Sequence, residues 1–176
     1  FIKSIRAHAG PVIGFVGNLE SKIDDKLIEK LANEMPEALI VLVGSTHANP
    51  DIKRLSEISN ILMPGVVENR YVNTVIREFD VCIVPHKKTA LTTNMNPLKV
   101  FVYLSNQRPV VTTNIDNLPT CDAVLVSNDS EEFVKNVRYA IAHQFDIDIY
   151  QKFIDENCWE SRFNLLDHFL ERVNET

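Results

Sequence analysis

Short runs of consecutive apolar residues recur along the chain, separated by longer segments whose apolar residues return every three or four positions. The runs are rich in Val, Ile and Leu, and turn-forming residues such as Gly, Pro, Asn and Asp lie between them. Such runs predict strands that are buried on both faces, as in a parallel sheet covered by helices. About six strands are predicted, over residues 12–16, 38–43, 61–63, 81–84, 110–113 and 123–126.

The intervening segments show the periodicity of amphipathic helices. Asp24 can cap the helix that follows the first strand, and Pro36 ends it. The lead-in before Val12 and the polar segment 86–95 lack this period, so both are predicted to be irregular. Helices are predicted over residues 24–35, 51–58, 70–78, 97–106, 129–143, 147–156 and 159–173.

Buried strands that alternate with amphipathic helices predict a doubly wound, Rossmann-like α/β domain with a mostly parallel sheet and helices on both faces. Residues 1–176 are predicted to form one such domain, with a helical segment from about 147 to 176. Ligands of such sheets bind beyond the carboxyl ends of the strands, where the strand order reverses. The loops expected to form the site are 17–23, 44–50, 64–69 and 85–96.

Composition narrows the functional classes. The formal net charge of −6 over 176 residues argues against non-specific nucleic-acid binding. No apolar run reaches the length of a membrane span, and no signal peptide is evident. The three cysteines are widely spaced, which favours a reduced, cytoplasmic compartment over disulfides or a metal site. Because the sequence begins at Phe1 rather than methionine, we expect it to be a piece of a longer protein.

The segment 94–113 predicts a short helix followed by a buried strand. Leu98, Phe101 and Leu104 recur every three residues, so they are expected to form one apolar stripe that packs on the sheet. The β-branched run that follows Pro109 suits a central strand.

The start of this helix is a candidate binding site. Asn96 can cap the helix, and Pro97 fits its first position, where a missing N–H costs nothing. Free N–H groups and the helix dipole favour a phosphate at this end, and Lys99 adds a full positive charge. A helix that packs on a strand without any ligand is the alternative.

Several short motifs occur in a defined order along the chain. In sequence they are Gly17 and Lys22, Leu42-Val43-Gly44, Gly65-Val66-Val67, Phe79 to Pro85, Asn96 to Phe101, Tyr103-Leu104, Arg108 to Thr113 and Trp159. The ordered set resembles the C-terminal, nucleotide-sugar-binding domain of a GT-B glycosyltransferase. The similarity covers nearly the whole chain, and it is greatest to the retaining bacterial polysaccharide enzymes of glycosyltransferase family 4 and its relatives.

In that family the sugar donor lies along the strand ends, and the resemblance implies a partner for each part of the donor. The base would lie against the backbone near Gly65 and Val66. The diphosphate would meet the helix start at 97–99, with help from a basic residue of the first loop, here Lys22. The implied catalytic residues are Lys99 and Lys22, and the implied donor contacts are Gly17, Asn18, Gly65, Val66, His86, Thr93, Asn94, Asn96, Pro97, Leu98 and Val102.

The sequence departs from the family pattern at two acidic positions. In the family a glutamate holds the ribose hydroxyls, and a preceding acidic residue, separated from it by seven residues, faces the sugar. Val102 and Asn94 stand at these positions here, and Asn18 replaces a basic residue often seen beside Gly17. Asn94 can still hydrogen-bond a sugar hydroxyl, whereas Val102 cannot bond a ribose. The donor site is therefore weakened, rebuilt by other residues or retired.

Other side chains have a second interpretation. His86 either contacts the sugar or is a solvated loop histidine. Lys22 either contacts phosphate or forms a surface ion pair with Asp24 or Asp25. Thr93, with its polar neighbours, either contacts the donor or is ordinary loop polarity.

The first function hypothesis is the donor half of a glycosyltransferase that takes its sugar from a nucleoside-diphosphate sugar and uses no metal or other cofactor. The acceptor is expected to be a bacterial surface glycan or glycolipid. An N-terminal acceptor-binding domain is expected outside this chain, so the fragment would be inactive alone and would reach the inner face of a membrane only through that domain. The alternative is a non-catalytic binding or assembly module with a degenerate donor site. A receiver-type signalling domain is disfavoured because the first strand does not end in an acidic cluster.

Overall fold

The computed structural model describes residues 1–93, 95, 97–115, 117–119, 121–161, 163, 164 and 167, except for the side chains of residues 91 and 93. Its strands are β1 (Val12–Val16), β2 (Leu39–Val43), β3 (Ile61–Gly65), β4 (Val81–Val84), β5 (Val110–Thr113) and β6 (Val124–Ser127). They form one sheet in the order β3-β2-β1-β4-β5-β6, and every neighbouring pair is parallel.

The helices that connect the strands vary in length. They are α1 (Ile2–Arg6), α2 (Asp25–Glu34), a 3₁₀ helix (Pro50–Glu57), α3 (Asn69–Ile76), α4 (Ala90–Thr93), α5 (Leu98–Ser105), α6 (Ser130–Ala142) and α7 (Ile147–Asn157). The predicted cap of α2 is confirmed, since the Asp24 carboxylate accepts a hydrogen bond from the Leu27 N–H at 3.0 Å.

Helices cover both faces of the sheet, as predicted. On one face α2, α6 and the 3₁₀ helix pack against alternate strand residues, such as Phe15 and Ile83. On the other face α1, α3, α5 and α7 pack against the remaining strand residues, such as Val43 and Val84. The chain leaves β1 toward the first face and β4 toward the second, so the strand order reverses between these two neighbours. The predicted doubly wound fold is therefore confirmed.

The apolar pattern locates all six strands to within two residues, but two predictions of irregular structure are wrong. The lead-in before β1 contains α1, where Ile5 is buried and Arg6 forms an ion pair with Glu78. The polar segment before α5 contains α4, whose turn is closed by a hydrogen bond from the Thr89 N–H to the Thr92 hydroxyl at 2.8 Å. Both helices are too short for a period to reveal them, and both depend on contacts outside their own residues.

Helix α5 presents a different face to the sheet from the one predicted. Leu98 is 72% exposed, whereas Val100, Tyr103 and Leu104 are buried. The helix is apolar at almost every position, so its sequence period does not define one face. The buried face is the one that contains Tyr103, whose hydroxyl donates to the Val16 carbonyl at 3.2 Å and accepts from the Val16 N–H at 2.9 Å.

The outer strand β3 is irregular. Its pairing with β2 shifts register between Val41 and Val43, and Pro64 lies in this part of β3. Proline has no N–H for a strand ladder, so an edge strand or a bulge is where a sheet can accept it. The shift sets Gly65 opposite Val43, at the carboxyl edge of the sheet.

The C-terminal part of the chain is helical as far as the structure describes it. Helix α7 confirms the first part of the predicted segment, and residues 159–161 are also helical. Trp159 is exposed and lies against Phe163, with 6.1 Å between the ring centroids. Most of the remaining helix predicted over 159–173 lies outside the described residues. Within the described part, no helix is long and apolar enough to cross a bilayer.

Candidate functional site

The position expected for a ligand crevice is at the carboxyl ends of β1 and β4, where the strand order reverses. The loops that leave these strands are joined by backbone hydrogen bonds, from the Asp24 N–H to the Pro85 carbonyl at 2.8 Å and from the Lys87 N–H to the Lys22 carbonyl at 2.7 Å. Because the two loops hold each other, the side chains that they carry have defined positions at the strand ends.

Two glycines let the loops after β1 and β2 approach closely. The Gly17 N–H donates to the Val43 carbonyl at 2.9 Å, which continues the strand ladder past the sheet. Gly44 has a φ of +148°, and a Cβ on it would lie 1.8 Å from the Gly17 carbonyl oxygen. Any side chain at position 44 would therefore push the first loop away from the crevice.

Lys99, in the first turn of α5, reaches back across the end of β1. Its Nζ lies 4.4 Å from the centroid of the Phe15 ring, a cation–π contact. The same atom is 2.9 Å from the point that a Cβ of residue 17 would occupy, so glycine leaves the space that the ammonium fills. No carboxylate of the described residues lies within ion-pair distance of Lys99 Nζ. Pro97 precedes α5 as its N-cap and not, as predicted, as its first helical residue.

The position of Lys99 is reflected in its ionisation. Burial, together with repulsion from Lys22, lowers its pKa from 10.5 to about 8, against an opposing effect of Glu20. Lys99 is therefore a cation that is held partly desolvated without an adjacent anion. An anion placed beside it would regain the lost stabilisation, and this is what phosphate-binding lysines do.

Lys22 has an acidic partner, but not the one predicted. Its Nζ lies 3.2 Å from the Glu20 carboxylate, within the same loop. The predicted partners are engaged elsewhere, since Asp24 caps α2 and Asp25 accepts hydrogen bonds from Arg54 and ion-pairs with Lys87. Lys22 therefore remains at the crevice.

His86 is buried beneath the crevice, so the prediction of a solvated loop histidine is wrong. Its side chain is 1% exposed, and neither ring nitrogen has a hydrogen-bond partner among the described residues. Burial, together with repulsion from Lys99 and Lys22, lowers its pKa to about 4, against a smaller opposing effect of Glu20. The imidazole is therefore neutral near neutral pH. It borders a cavity of about 140 Å³ at the ends of β4, β5 and β6.

Val102 lies on the face of α5 that turns toward α3. Lys99 and Asn106 share this face, and the Asn106 amide donates to the Asn73 side chain of α3 at 3.1 Å. Val102 is 38% exposed, so it presents an apolar side chain partly to solvent. Any ligand hydroxyl at this position has no hydrogen-bond partner on Val102.

A second cleft of about 340 Å³ lies at the ends of β2 and β3. Gly44, Thr46, Lys53, Ser56 and Gly65 are among the residues that line it. Gly65, near which a base is predicted to bind, lies in its lining, and the binding of a base there stays a prediction. Of the other predicted donor contacts, Val66, Asn18 and Leu98 are exposed, while the Thr93 side chain, Asn94 and Asn96 lie outside the described residues.

The sequence was compared with protein families and known proteins. A family model described as "Glycosyl transferases group 1" matches residues 10–143. The chain belongs to this family. A Bacillus subtilis relative, TuaH, is named as a glycosyltransferase of teichuronic acid biosynthesis and is 27% identical to the chain. That match covers 81% of the chain and 41% of TuaH, so the chain spans about two fifths of the length of this curated relative.

Solved glycosyltransferases share the fold. A TarM variant from S. aureus, in complex with fondaparinux, alpha-GlcNAc-glycerol and UDP, superposes with a TM-score of 0.69 at 11% identity, over 92% of this chain and 35% of TarM. HepE from Anabaena, in complex with UDP-glucose, superposes with a TM-score of 0.62 at 13% identity, over 79% of this chain and 41% of HepE. At such identities these similarities show the fold alone.

Three residues of this candidate site, Phe15, Tyr103 and Glu20, are not among those predicted. Only Tyr103 has a signal in the sequence, because a tyrosine among aliphatic residues on a buried helix needs a polar partner for its hydroxyl. Phe15 looks like any other core residue of a strand, and Glu20 looks like an ordinary turn residue.

Replacing Lys99 by methionine should stabilise the fold near neutral pH, because the folded state then no longer holds a desolvated cation. The lowered pKa of Lys99 corresponds to a gain of about 3 kcal/mol in the free energy of unfolding. Between about pH 8 and pH 10.5 the unfolded chain binds the additional proton, so wild-type stability rises with pH and the advantage of Lys99→Met shrinks.

Urea unfolding of both proteins across this pH range measures the effect. Lys26→Met, at an exposed lysine of α2, is the matched control and should change stability by less than about 0.5 kcal/mol. A loss of stability in Lys99→Met at neutral pH would show that the Phe15 contact outweighs desolvation.

Proposed function

We propose that this domain binds the donor of a glycosyltransferase reaction, a nucleoside-diphosphate sugar, and that the sugar passes to a bacterial surface glycan or glycolipid. The observation that carries the proposal is Lys99, a partly desolvated ammonium without a carboxylate partner among the described residues, placed where the strand order reverses. Such a group is unfavourable in the free protein and favourable beside a diphosphate.

The diphosphate would lie between the start of α5 and the loop after β1. These two segments carry Lys99 and Lys22, and repulsion from the Lys22 charge lowers the pKa of Lys99. As the bond from sugar to phosphate breaks, negative charge grows on the leaving diphosphate, and both lysines would stabilise it. Because these charges come from the protein, we propose that no metal ion takes part.

The donor class follows from the relatives and from the second cleft. HepE was solved with UDP-glucose and TarM with UDP, so uridine diphosphate is the first ligand to test. The cleft at Gly65 lies next to the crevice and is large enough to receive the edge of a base. The TuaH relationship supports a cell-surface glycan as the product.

The catalytic unit would be larger than this chain. The chain spans about two fifths of TuaH. We propose that the acceptor-binding site and any general base lie on a further domain. The three cysteines of the chain are free, in accord with our proposal of a cytoplasmic location, where any membrane contact would be made by that domain.

Val102 supports a second candidate, a binding or assembly module whose donor site has degenerated. An apolar, partly exposed residue at this position offers nothing to a ribose. In this candidate Lys99 would be a remnant of the donor site. The two candidates differ in whether the chain binds any nucleoside diphosphate.

Lys99→Met should weaken binding of uridine diphosphate by about ten- to a hundredfold, the loss expected for a hydrogen bond to a charged group. Titration calorimetry in the presence of a metal chelator measures the affinity, and Lys26→Met is the control for charge. Equal binding by wild type and Lys99→Met would remove Lys99 from the site. No binding of any nucleoside diphosphate by the wild type would favour the degenerate module, and binding that needs a divalent metal would contradict the metal-free mechanism.

Val102→Glu should tighten binding of the same ligand by about tenfold or more, since a carboxylate can accept hydrogen bonds from both ribose hydroxyls. The position is partly exposed, so the new carboxylate is solvated in the free protein and stability should change by less than about 0.5 kcal/mol. Val102→Gln, which cannot supply the charge, is the matched control. A gain that persists with a nucleoside diphosphate lacking both ribose hydroxyls would show that residue 102 does not face the ribose.

The chain alone should show no sugar transfer, because the acceptor side is proposed to lie on another domain. Release of uridine diphosphate from a UDP-sugar, with a surface glycan as acceptor, is the assay. Turnover above the level of heat-inactivated protein would overturn this part of the proposal.

A further inference from the structure

Glu20 is an acidic group that lies among the cations of the crevice. Its carboxylate is 3.2 Å from Lys22 Nζ, and its charge acts on both Lys99 and His86. The hydrogen bond from Lys22 is the main cause that lowers the pKa of Glu20, and Lys99 lowers it further. Among the described residues, Glu20 is the carboxylate whose negative charge raises the pKa of Lys99.

We propose that Glu20 competes with a bound ligand for Lys22. A diphosphate must displace Glu20 from Lys22, whereas a single phosphate need not. Glu20 therefore determines how the site distinguishes a diphosphate from a single phosphate. The inference rests on the proposed function, because it concerns the same crevice. It assigns to Glu20 a role in ligand selection.

The backbone around Glu20 is fixed, so only its side chain can respond to a ligand. The Glu20 carbonyl accepts hydrogen bonds from the Ile23 N–H at 3.0 Å and from the Asn49 amide at 3.3 Å. The preceding Leu19 N–H donates to the Ser45 carbonyl at 2.9 Å. Release of Lys22 is therefore a change of side-chain rotamer and does not require the loop to open.

The side chain of Glu20 can move away from Lys22 into solvent. It is 39% exposed, so its carboxylate can turn into water and remain solvated. Ion pairs with this degree of exposure are weak, which makes displacement by a doubly charged ligand feasible. Glu20 therefore lowers diphosphate affinity without blocking the site.

The two lysines differ in what they offer. Lys99 has no acidic partner within ion-pair distance among the described residues, so one phosphate can bind it directly. Lys22 is already paired with Glu20. A diphosphate that spans both lysines must take Lys22 from Glu20, whereas a single phosphate on Lys99 leaves this pair intact.

Glu20→Gln should therefore tighten inorganic pyrophosphate by about two- to fivefold and inorganic phosphate by less, because Glu20 acts on Lys99 only through its charge. These probes avoid any assumption about base or sugar. Dissociation constants come from NMR titrations that follow backbone amides of the loop after β1. Glu37→Gln is the matched control, because Glu37 is an exposed glutamate that forms an ion pair with Arg138. Glu37 precedes β2, so it lies at the amino-terminal ends of the strands, away from the crevice.

The Lys22→Met background separates competition from simple charge repulsion. If Glu20 acts mainly by holding Lys22, the additional change Glu20→Gln should tighten pyrophosphate in that background no more than it tightens phosphate in the wild type. An equal gain in both backgrounds, or an equal gain for phosphate and pyrophosphate, would show general repulsion and contradict the proposal. Unchanged or weaker pyrophosphate binding by Glu20→Gln alone would also contradict it.

The proposed function is tested separately, with the wild type and Lys99→Met. Pyrophosphate binding by the wild type that is weakened in Lys99→Met supports a diphosphate site whatever Glu20 does. If the wild type binds neither nucleoside diphosphates nor pyrophosphate, the proposed function fails together with this inference.

Discussion

The contact on which the rest of the site depends is the pair of hydrogen bonds between the Tyr103 hydroxyl and the backbone of Val16. Val16 is the last residue of β1, and Tyr103 lies one helical turn beyond Lys99 in α5. The pair therefore fixes the height and rotation of α5 relative to the strand whose end forms the crevice. With α5 held in this way, Lys99 is directed over Phe15 and into the space that Gly17 leaves open.

The crevice combines features that are unfavourable for folding. Lys99 is partly desolvated, His86 is buried with two unpartnered nitrogens among the described residues, and the charge of Lys22 disfavours the protonated form of both. Each feature lowers the stability of the folded protein, and all three occur where the strand order reverses. Their concentration is understandable if a polyanion supplies the missing charge. Glu20 supplies only part of it, from within the chain.

The sequence predicted the strands and the general location of the site because both depend on features that are local in the chain. Apolar runs mark buried strands, and parallel strand ends bring their loops together. The orientation of α5 could not be predicted, because nearly all its residues are apolar and one tyrosine contact selects the buried face. The partner of Lys22 could not be predicted either, since Asp24, Asp25 and Glu20 all lie within three residues of it in the sequence. Only the competing bonds of Asp24 and Asp25 in the folded chain leave Glu20 as the partner.

The proline in β3 has a consequence for self-association through the edge of the sheet. A sheet with open edges can recruit a strand from a second molecule and grow into larger aggregates. Pro64 leaves the outer strand β3 with one N–H fewer, and the nearby register shift disrupts the regular spacing that an incoming strand would need. This side of the domain is therefore poorly suited to templating, and the crevice beside it can remain open to small ligands without inviting edge-to-edge polymerisation.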